Sequence, residues 1–159
     1  MEQGFELVAR TGLPAFARRV LNLLSLASAR DESHATLVAL RGNLGAGKTT
    51  FMQALAKELG VEGVVQSPTY VLMKSYPISF GVFTKLIHID AYRLNSPEEF
   101  QTLKPEDFLN NPQNLVCVEW PERVAGALPA PDLVLQFSSD APEGASEGAN
   151  PEVRYIKVV

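Results

Sequence analysis

Cysteine is nearly missing from this chain of 159 residues: Cys117 stands alone, so no internal disulfide can form and no cysteine cage can hold a metal. Long apolar runs are missing too. No stretch approaches the roughly 20 residues a helix needs to cross a bilayer. The opening Met1-Glu2-Gln3-Gly4 lacks the basic and apolar regions of a secretory leader, so the expected home is the cytoplasm, with no membrane partner. An excess of positive charge is also absent. Fourteen Lys and Arg face 18 Asp and Glu, a net charge of −4, and this disfavours a broad surface for direct tRNA or duplex binding. A small local basic patch stays open. With 46% apolar and 20% charged residues, no repeat and no visible boundary, residues 1–159 are expected to form a single domain.

Apolar spacing supplies the elements. Gln3 to Ala9 alternates, with Phe5, Leu7 and Ala9 on one side, and predicts a short strand. Thr11 is a candidate N-cap for a first amphipathic helix to about Ala29, carried by Phe16, Val20, Leu23, Leu24 and Ala27, with Pro14 in its first turn. Thr36 to Leu40 is a nearly continuous apolar run, the pattern of a strand covered on both faces. A glycine-rich segment follows, then a second helix marked by Phe51, Met52, Leu55 and Leu59 with Gly60 as its stop. Tyr70 to Tyr76 and Phe80 to Tyr92 look like strands, and Asn95 to Asn114 holds short helices. Leu115 to Val118 and Asp132 to Phe137 are further strands, the first placing Cys117 in the core. Residues 138–151 are rich in Ala, Gly, Ser and Glu and are expected to form a mobile loop. Glu152 to Val159 alternates again and closes the sheet antiparallel. The expected fold is a three-layer α/β P-loop NTPase-like domain, with a mixed, largely parallel central sheet and an antiparallel C-terminal edge.

The glycine-rich segment carries the chemistry. Gly42-Asn43-Leu44-Gly45-Ala46-Gly47-Lys48-Thr49 satisfies G-x-x-x-x-G-K-[ST] at every fixed position, and Thr50 follows. Glycines let the main chain turn tightly without a Cβ between it and a phosphate. Successive N–H groups then form an anion-binding nest, and the next helix turns its positive end to the same charge. Lys48 can reach β and γ oxygens, and the Thr49 hydroxyl can coordinate Mg²⁺. Chance alone produces such a match on the order of 1% of the time in a chain this long, and the flanking strand and helix lower that further.

A phosphate loop needs an acidic element near the metal, and strand ends converge on the ligand crevice of a parallel sheet. Leu115-Val116-Cys117-Val118 ends in Glu119, and Ile87-His88-Ile89 ends in Asp90. Glu119 could hold the metal, directly or through water, or orient the attacking water. His88 alternates with Asp90 on one face and fits a structural histidine first. Ser67-Pro68-Thr69-Tyr70 lies where phosphate-loop switches place a threonine that senses Mg²⁺ and the γ-phosphate, and is equally a turn that starts a strand. Trp120 and Pro121 could cap the sheet, contact a partner, or report on nucleotide.

Four blocks in order, Gly42 to Thr50, Ser67-Pro68-Thr69-Tyr70, His88-Ile89-Asp90-Ala91-Tyr92-Arg93-Leu94 and Val118-Glu119-Trp120-Pro121-Glu122, resemble the TsaE (YjeE) family. These are the ATPases of bacterial tRNA threonylcarbamoyladenosine synthesis. The similarity covers residues 35 to 135, and the tail hardly shares it. It implies ATP as substrate, Mg²⁺ held by Thr49 and Glu119, hydrolysis assisted by Asp90 and Thr69 beside Lys48, and Trp120 next to the site. It implies a partner, the TsaB–TsaD pair that modifies adenosine 37 of tRNA, so that tRNA is reached through the complex with little direct binding. Many relatives carry Asp where this chain has Asn43, a variable position of the loop. A slow intrinsic ATPase that accelerates when the partner docks is the expectation, with Arg93 the nearest candidate finger by sequence. Two other classes compete: a small-molecule or nucleoside kinase, which needs an arginine-rich lid that the scattered arginines do not make, and a non-catalytic nucleotide-gated adaptor. A GTPase is disfavoured because no N-K-x-D segment occurs.

Overall fold

The computed structural model describes residues 4–26, 33–63, 65, 68, 70–140 and 153–159. Among the described residues, seven strands form one sheet: β1 (Glu6–Ala9), β2 (Thr36–Arg41), β3 (Met73–Phe80), β4 (Phe83–Asp90), β5 (Asn114–Glu119), β6 (Leu133–Ser138) and β7 (Val153–Val158), in the spatial order β1-β7-β6-β2-β5-β4-β3. The central four, β6-β2-β5-β4, run parallel, and the pairs at either side are antiparallel. The antiparallel C-terminal side is there as expected. Its outermost strand is β1, which pairs with β7 and covers it.

Every residue of β5, and all of β2 but Arg41, is buried, because helices cover both faces of the sheet there. On one face lie α1 (Leu13–Leu26) and α2 (Lys48–Glu58), packed on Val38, Leu40, Leu86, Leu115, Cys117, Leu135 and Phe137. Phe51 of α2 locks this layer, its ring 5.8 Å from that of Phe16 and 5.6 Å from that of Phe137. On the other face, Leu37, Ile87, Ile89, Val116 and Val118 meet Phe100 and Phe108 from two short helices, α3 (Pro97–Phe100) and α4 (Glu106–Leu109). Burial pushes the Cys117 thiol up to about 12, so it is neutral near pH 7 and serves packing. No helix among the described residues is long and apolar enough to cross a membrane.

This alternation decides where the polar residues go. Strand side chains alternate between faces, so His88, Asp90 and Glu119 share the face of α2, in line with Leu86, Leu115 and Cys117. In the parallel register Asp90 stands opposite Glu119, and Glu119 stands opposite Leu40, at the strand end that feeds the glycine-rich loop.

Several local expectations need correction. In β1 Val8 is the buried residue and Leu7 is 57% exposed, because α1 folds back on the Val8 side and leaves the other face bare. Thr11 is not a helix N-cap. It lies inside a 3-10 turn, Arg10–Gly12, that runs directly into α1. Leu23 points to solvent, 50% exposed. The strand expected from Tyr70 starts only at Met73, since Leu72 adopts φ 67 and breaks the extension. Phe80 ends β3 and pairs across a tight turn with Phe83, with Gly81 at φ 57 supplying the bend. Residues 141–152, most of the segment expected to be a loop, lie outside the described residues, as do Ala27, Ser67 and Thr69.

Candidate functional site

Between Arg41, the last residue of β2, and the first residue of α2, Lys48, the main chain turns through Gly42 to Gly47. Two glycines are obligatory there. Gly42 has φ 144, and a Cβ on it would come within 2.6 Å of the Phe137 carbonyl oxygen, a backbone atom that cannot yield. Gly47 has φ 104 and stands against Arg154, whose Cγ would lie 3.1 Å from an added Cβ. The turn is closed by Ala46 N–H donating to the Asn43 carbonyl at 3.0 Å, and α2 begins as Phe51 N–H donates to the Gly47 carbonyl at 2.9 Å. The first-turn N–H groups of α2, which have no partner within a helix, therefore face the loop.

A cleft of about 250 Å³ opens over this turn, lined by Leu44 to Thr50, Asp90, Tyr92, Glu119, Trp120 and Arg154. The Lys48 ammonium donates to the carbonyls of Gly42 and Asn43 and sits 4.0 Å from the centroid of the Trp120 ring. Burial lowers its pKa below the ordinary lysine value of 10.5, against the opposing pull of Glu119, Glu122 and Asp90. A polyphosphate favours the ammonium, so binding that depends on Lys48 weakens as pH rises through the lowered value. We therefore expect nucleotide affinity, followed by calorimetry, to start falling before pH 10.5. For folding the sign is opposite: the unfolded chain holds this proton more tightly, so stability attributable to Lys48 grows with pH across the same window.

Thr49, next on α2, donates its hydroxyl to Glu119 Oε1 at 3.1 Å. The other carboxylate oxygen, Oε2, lies 2.6 Å from His88 Nε2. Asp90, also buried, accepts the Tyr92 N–H on Oδ1 at 3.0 Å, which shapes the exit from β4. Trp120 adopts a left-handed conformation, φ 59, a strained state for a non-glycine residue, and its ring lies tilted against that of Tyr92, centroids 5.1 Å apart. Thr49 and Glu119 offer only oxygen donors. Among the described residues no group of three or more His, Cys, Asp or Glu could cage a metal. That donor set suits a small hard cation that keeps waters and takes phosphate oxygens, which is how Mg²⁺ is usually held.

The sequence-predicted residues Gly45 to Thr50, Asp90, Glu119 and Trp120 thus meet in one cleft, with Leu44 at its mouth, 74% exposed. The Asn43 side chain is exposed and only its carbonyl acts in the loop. Arg93 does not line the cleft; its guanidinium lies 4.4 Å from the Tyr70 ring centroid. The arginine at the phosphate loop is Arg154 of β7, which the sequence did not single out. It also lines a second cavity of about 120 Å³ on the far side of Gly47 and Thr50, walled by Val8, Leu13, Phe137, Ile156 and Arg10. No local signal marks these residues, because β1 and β7 meet the loop only through the sheet order.

The family described as "Threonylcarbamoyl adenosine biosynthesis protein TsaE" matches residues 13–146. Proteins named tRNA threonylcarbamoyladenosine biosynthesis protein TsaE are similar to this chain. The Haemophilus influenzae protein is 38% identical over 103 residues, 65% of this chain and 63% of its own length. The Streptomyces coelicolor protein is 37% identical over 123 residues, 77% and 78% of the two chains. The Aquifex aeolicus protein reaches 44% over 89 residues, with 55% of this chain and 59% of the relative covered. The match therefore spans less than two thirds of the Haemophilus and Aquifex proteins. The crystal structure of Bacillus subtilis YdiB has the same fold, with a TM-score of 0.61, 23% identity, and coverage of 98% of this chain and 86% of that one.

Proposed function

This chain belongs to the TsaE family, and on that premise we propose that it is a Mg²⁺-dependent ATPase serving tRNA threonylcarbamoyladenosine synthesis together with a TsaB–TsaD pair. The observation that carries the proposal is the junction of phosphate loop and acid: Thr49 Oγ1 lies 3.1 Å from Glu119 Oε1 at the carboxyl ends of two adjacent parallel strands.

In this reading, the loop amides from Gly42 to Thr50 and the positive end of α2 bind the phosphates, and Lys48 neutralises the β and γ oxygens. Thr49 and Glu119 hold Mg²⁺, which supplies further neutralisation of the charge shared by those phosphates. Asp90 or Glu119 places the attacking water, and Thr69 assists. Arg154 bridges the phosphate cleft and the smaller cavity, and the apolar walls of that cavity take the nucleoside. Trp120 and Tyr92 limit water at the mouth. The low-dielectric surroundings that burial of Asp90, Glu119 and Lys48 creates would strengthen each of these interactions.

Among the described residues no second arginine lines the cleft, which suits an enzyme that is slow until a partner docks over the mouth. The test mixes the protein with TsaB, TsaD, tRNA and Mg·ATP and follows phosphate release together with sustained modification. We expect hydrolysis to rise at least tenfold over the isolated chain, by analogy with partner-assisted phosphoryl transfer. Equal rates with and without the pair, or sustained modification without hydrolysis, contradict the proposal.

A further inference from the structure

His88 is fully buried, at 0% exposure, on the sheet face it shares with apolar Leu86 and Cys117 and with the buried acids Asp90 and Glu119. A polar ring in such a place costs stability unless its nitrogens are satisfied. One of them is, strongly: Nε2 stands 2.6 Å from Glu119 Oε2. The other, Nδ1, has no hydrogen-bond partner among the described residues. An acceptor lone pair left unpaired costs less than an orphaned N–H, so the proton belongs on Nε2, directed at the carboxylate. A leucine would fill the same space without either cost, so packing alone does not account for an imidazole here.

The sheet register explains the contact. His88 stands opposite Cys117, two pairs back from the facing Asp90 and Glu119, and all four side chains share one face. The Glu119 carboxylate is thereby gripped from below at Oε2 by His88 and from the α2 side at Oε1 by the Thr49 hydroxyl. With Oε2 occupied, its rotation about the last bond is fixed, and Oε1 is the oxygen presented to the cleft.

We propose that His88 is a positioning residue that orients the Glu119 carboxylate, so that Oε1 and the Thr49 hydroxyl face one cation together. This rests on the assignment of Thr49 and Glu119 as Mg²⁺ ligands. His88 itself touches neither metal nor nucleotide. Groups that hold metal-binding side chains in place commonly change affinity or activity by about 10- to 100-fold when lost.

The test compares His88→Leu, His88→Gln and Glu119→Gln with the unaltered chain. For each, calorimetry gives the affinity for the β,γ-imido analogue of ATP in Mg²⁺ and in EDTA, and the ratio of the two reports the metal alone. Glu119→Gln should lose most of the ratio. His88→Leu should lower it about tenfold with the EDTA affinity unchanged, whereas His88→Gln, which keeps an N–H at similar reach, should restore it to within about threefold. If Glu119→Gln loses the ratio and His88→Leu keeps it, the positioning role is wrong and the metal assignment stands. If Glu119→Gln keeps the ratio, the metal assignment itself fails and the role of His88 falls with it. Should His88→Leu not fold, His88→Gln and His88→Asn decide: glutamine must keep the ratio and asparagine, one methylene shorter, must lose it. Equal ratios for those two overturn the inference.

Discussion

Replacing Lys48 by methionine is expected to lower affinity for Mg·ATP by about 100- to 1,000-fold while leaving the fold intact. Losing one member of a buried, charge-assisted contact costs roughly 2–5 kcal/mol, and each 1.4 kcal/mol is a tenfold change. Lys48 is 5% exposed and points into the cleft that the loop encloses, so its partner would be left with an unbalanced charge there. The methionine side chain fills much of the volume of the lysine chain, although the contact of the ammonium with the Trp120 ring is lost. Stability should hold because burial already works against the ammonium, as its lowered pKa records, and removing the charge removes that cost. The bonds to the Gly42 and Asn43 carbonyls are lost, but these oxygens lie in a loop open to water. Calorimetry for binding and a thermal melt for folding check both halves. Unchanged affinity in a folded variant would remove Lys48 from the phosphate site.

Glu119→Gln has the second large effect, on turnover. The substitution preserves shape and an acceptor oxygen, so the contacts to Thr49 and His88 survive in part. What disappears is the negative charge beside the proposed cation and any capacity to place or deprotonate water. Groups of this kind contribute on the order of 10²- to 10⁴-fold to rate. We expect phosphate release in the presence of TsaB–TsaD to fall at least 100-fold, with nucleotide affinity in EDTA within about threefold of the unaltered chain. Asp90→Asn, one strand away, separates the two carboxylates: Asp90 also accepts the Tyr92 N–H, so part of its effect would come through the shape of that turn. Normal turnover by Glu119→Gln would transfer the catalytic role elsewhere in the cleft.

The phosphate loop was readable in the sequence because its chemistry is local: eight consecutive residues contain the turn, the cation and the hydroxyl. Glu119 and Asp90 were readable for a different reason. Apolar runs ending in an acid become convergent in a parallel sheet, and β4 and β5 are such neighbours, with Asp90 opposite Glu119. The link from His88 to Glu119 was not readable, since it depends on which strands pair and in what register. The same holds for Arg154. Nothing near it in the sequence tells that β7 enters the sheet between β6 and β1 and brings it against Gly47. Alternation alone also leaves the inner face of β1 undecided. Phe5 and Leu7 outweigh Val8 in apolar area, and only the position of α1 decides that Val8 is covered. The left-handed turn at Trp120 is likewise imposed by its surroundings, between the end of β5 and the proline that follows.

The claim beneath the whole account is that main-chain N–H groups of one short turn hold the phosphates. A ¹⁵N-resolved NMR titration with Mg·ATP reads those groups one by one. The amides from Gly42 to Thr50 should show the largest shifts, accompanied by the Trp120 indole. If the loop amides stay in place while another region of the protein responds, the nucleotide binds elsewhere and the account is wrong.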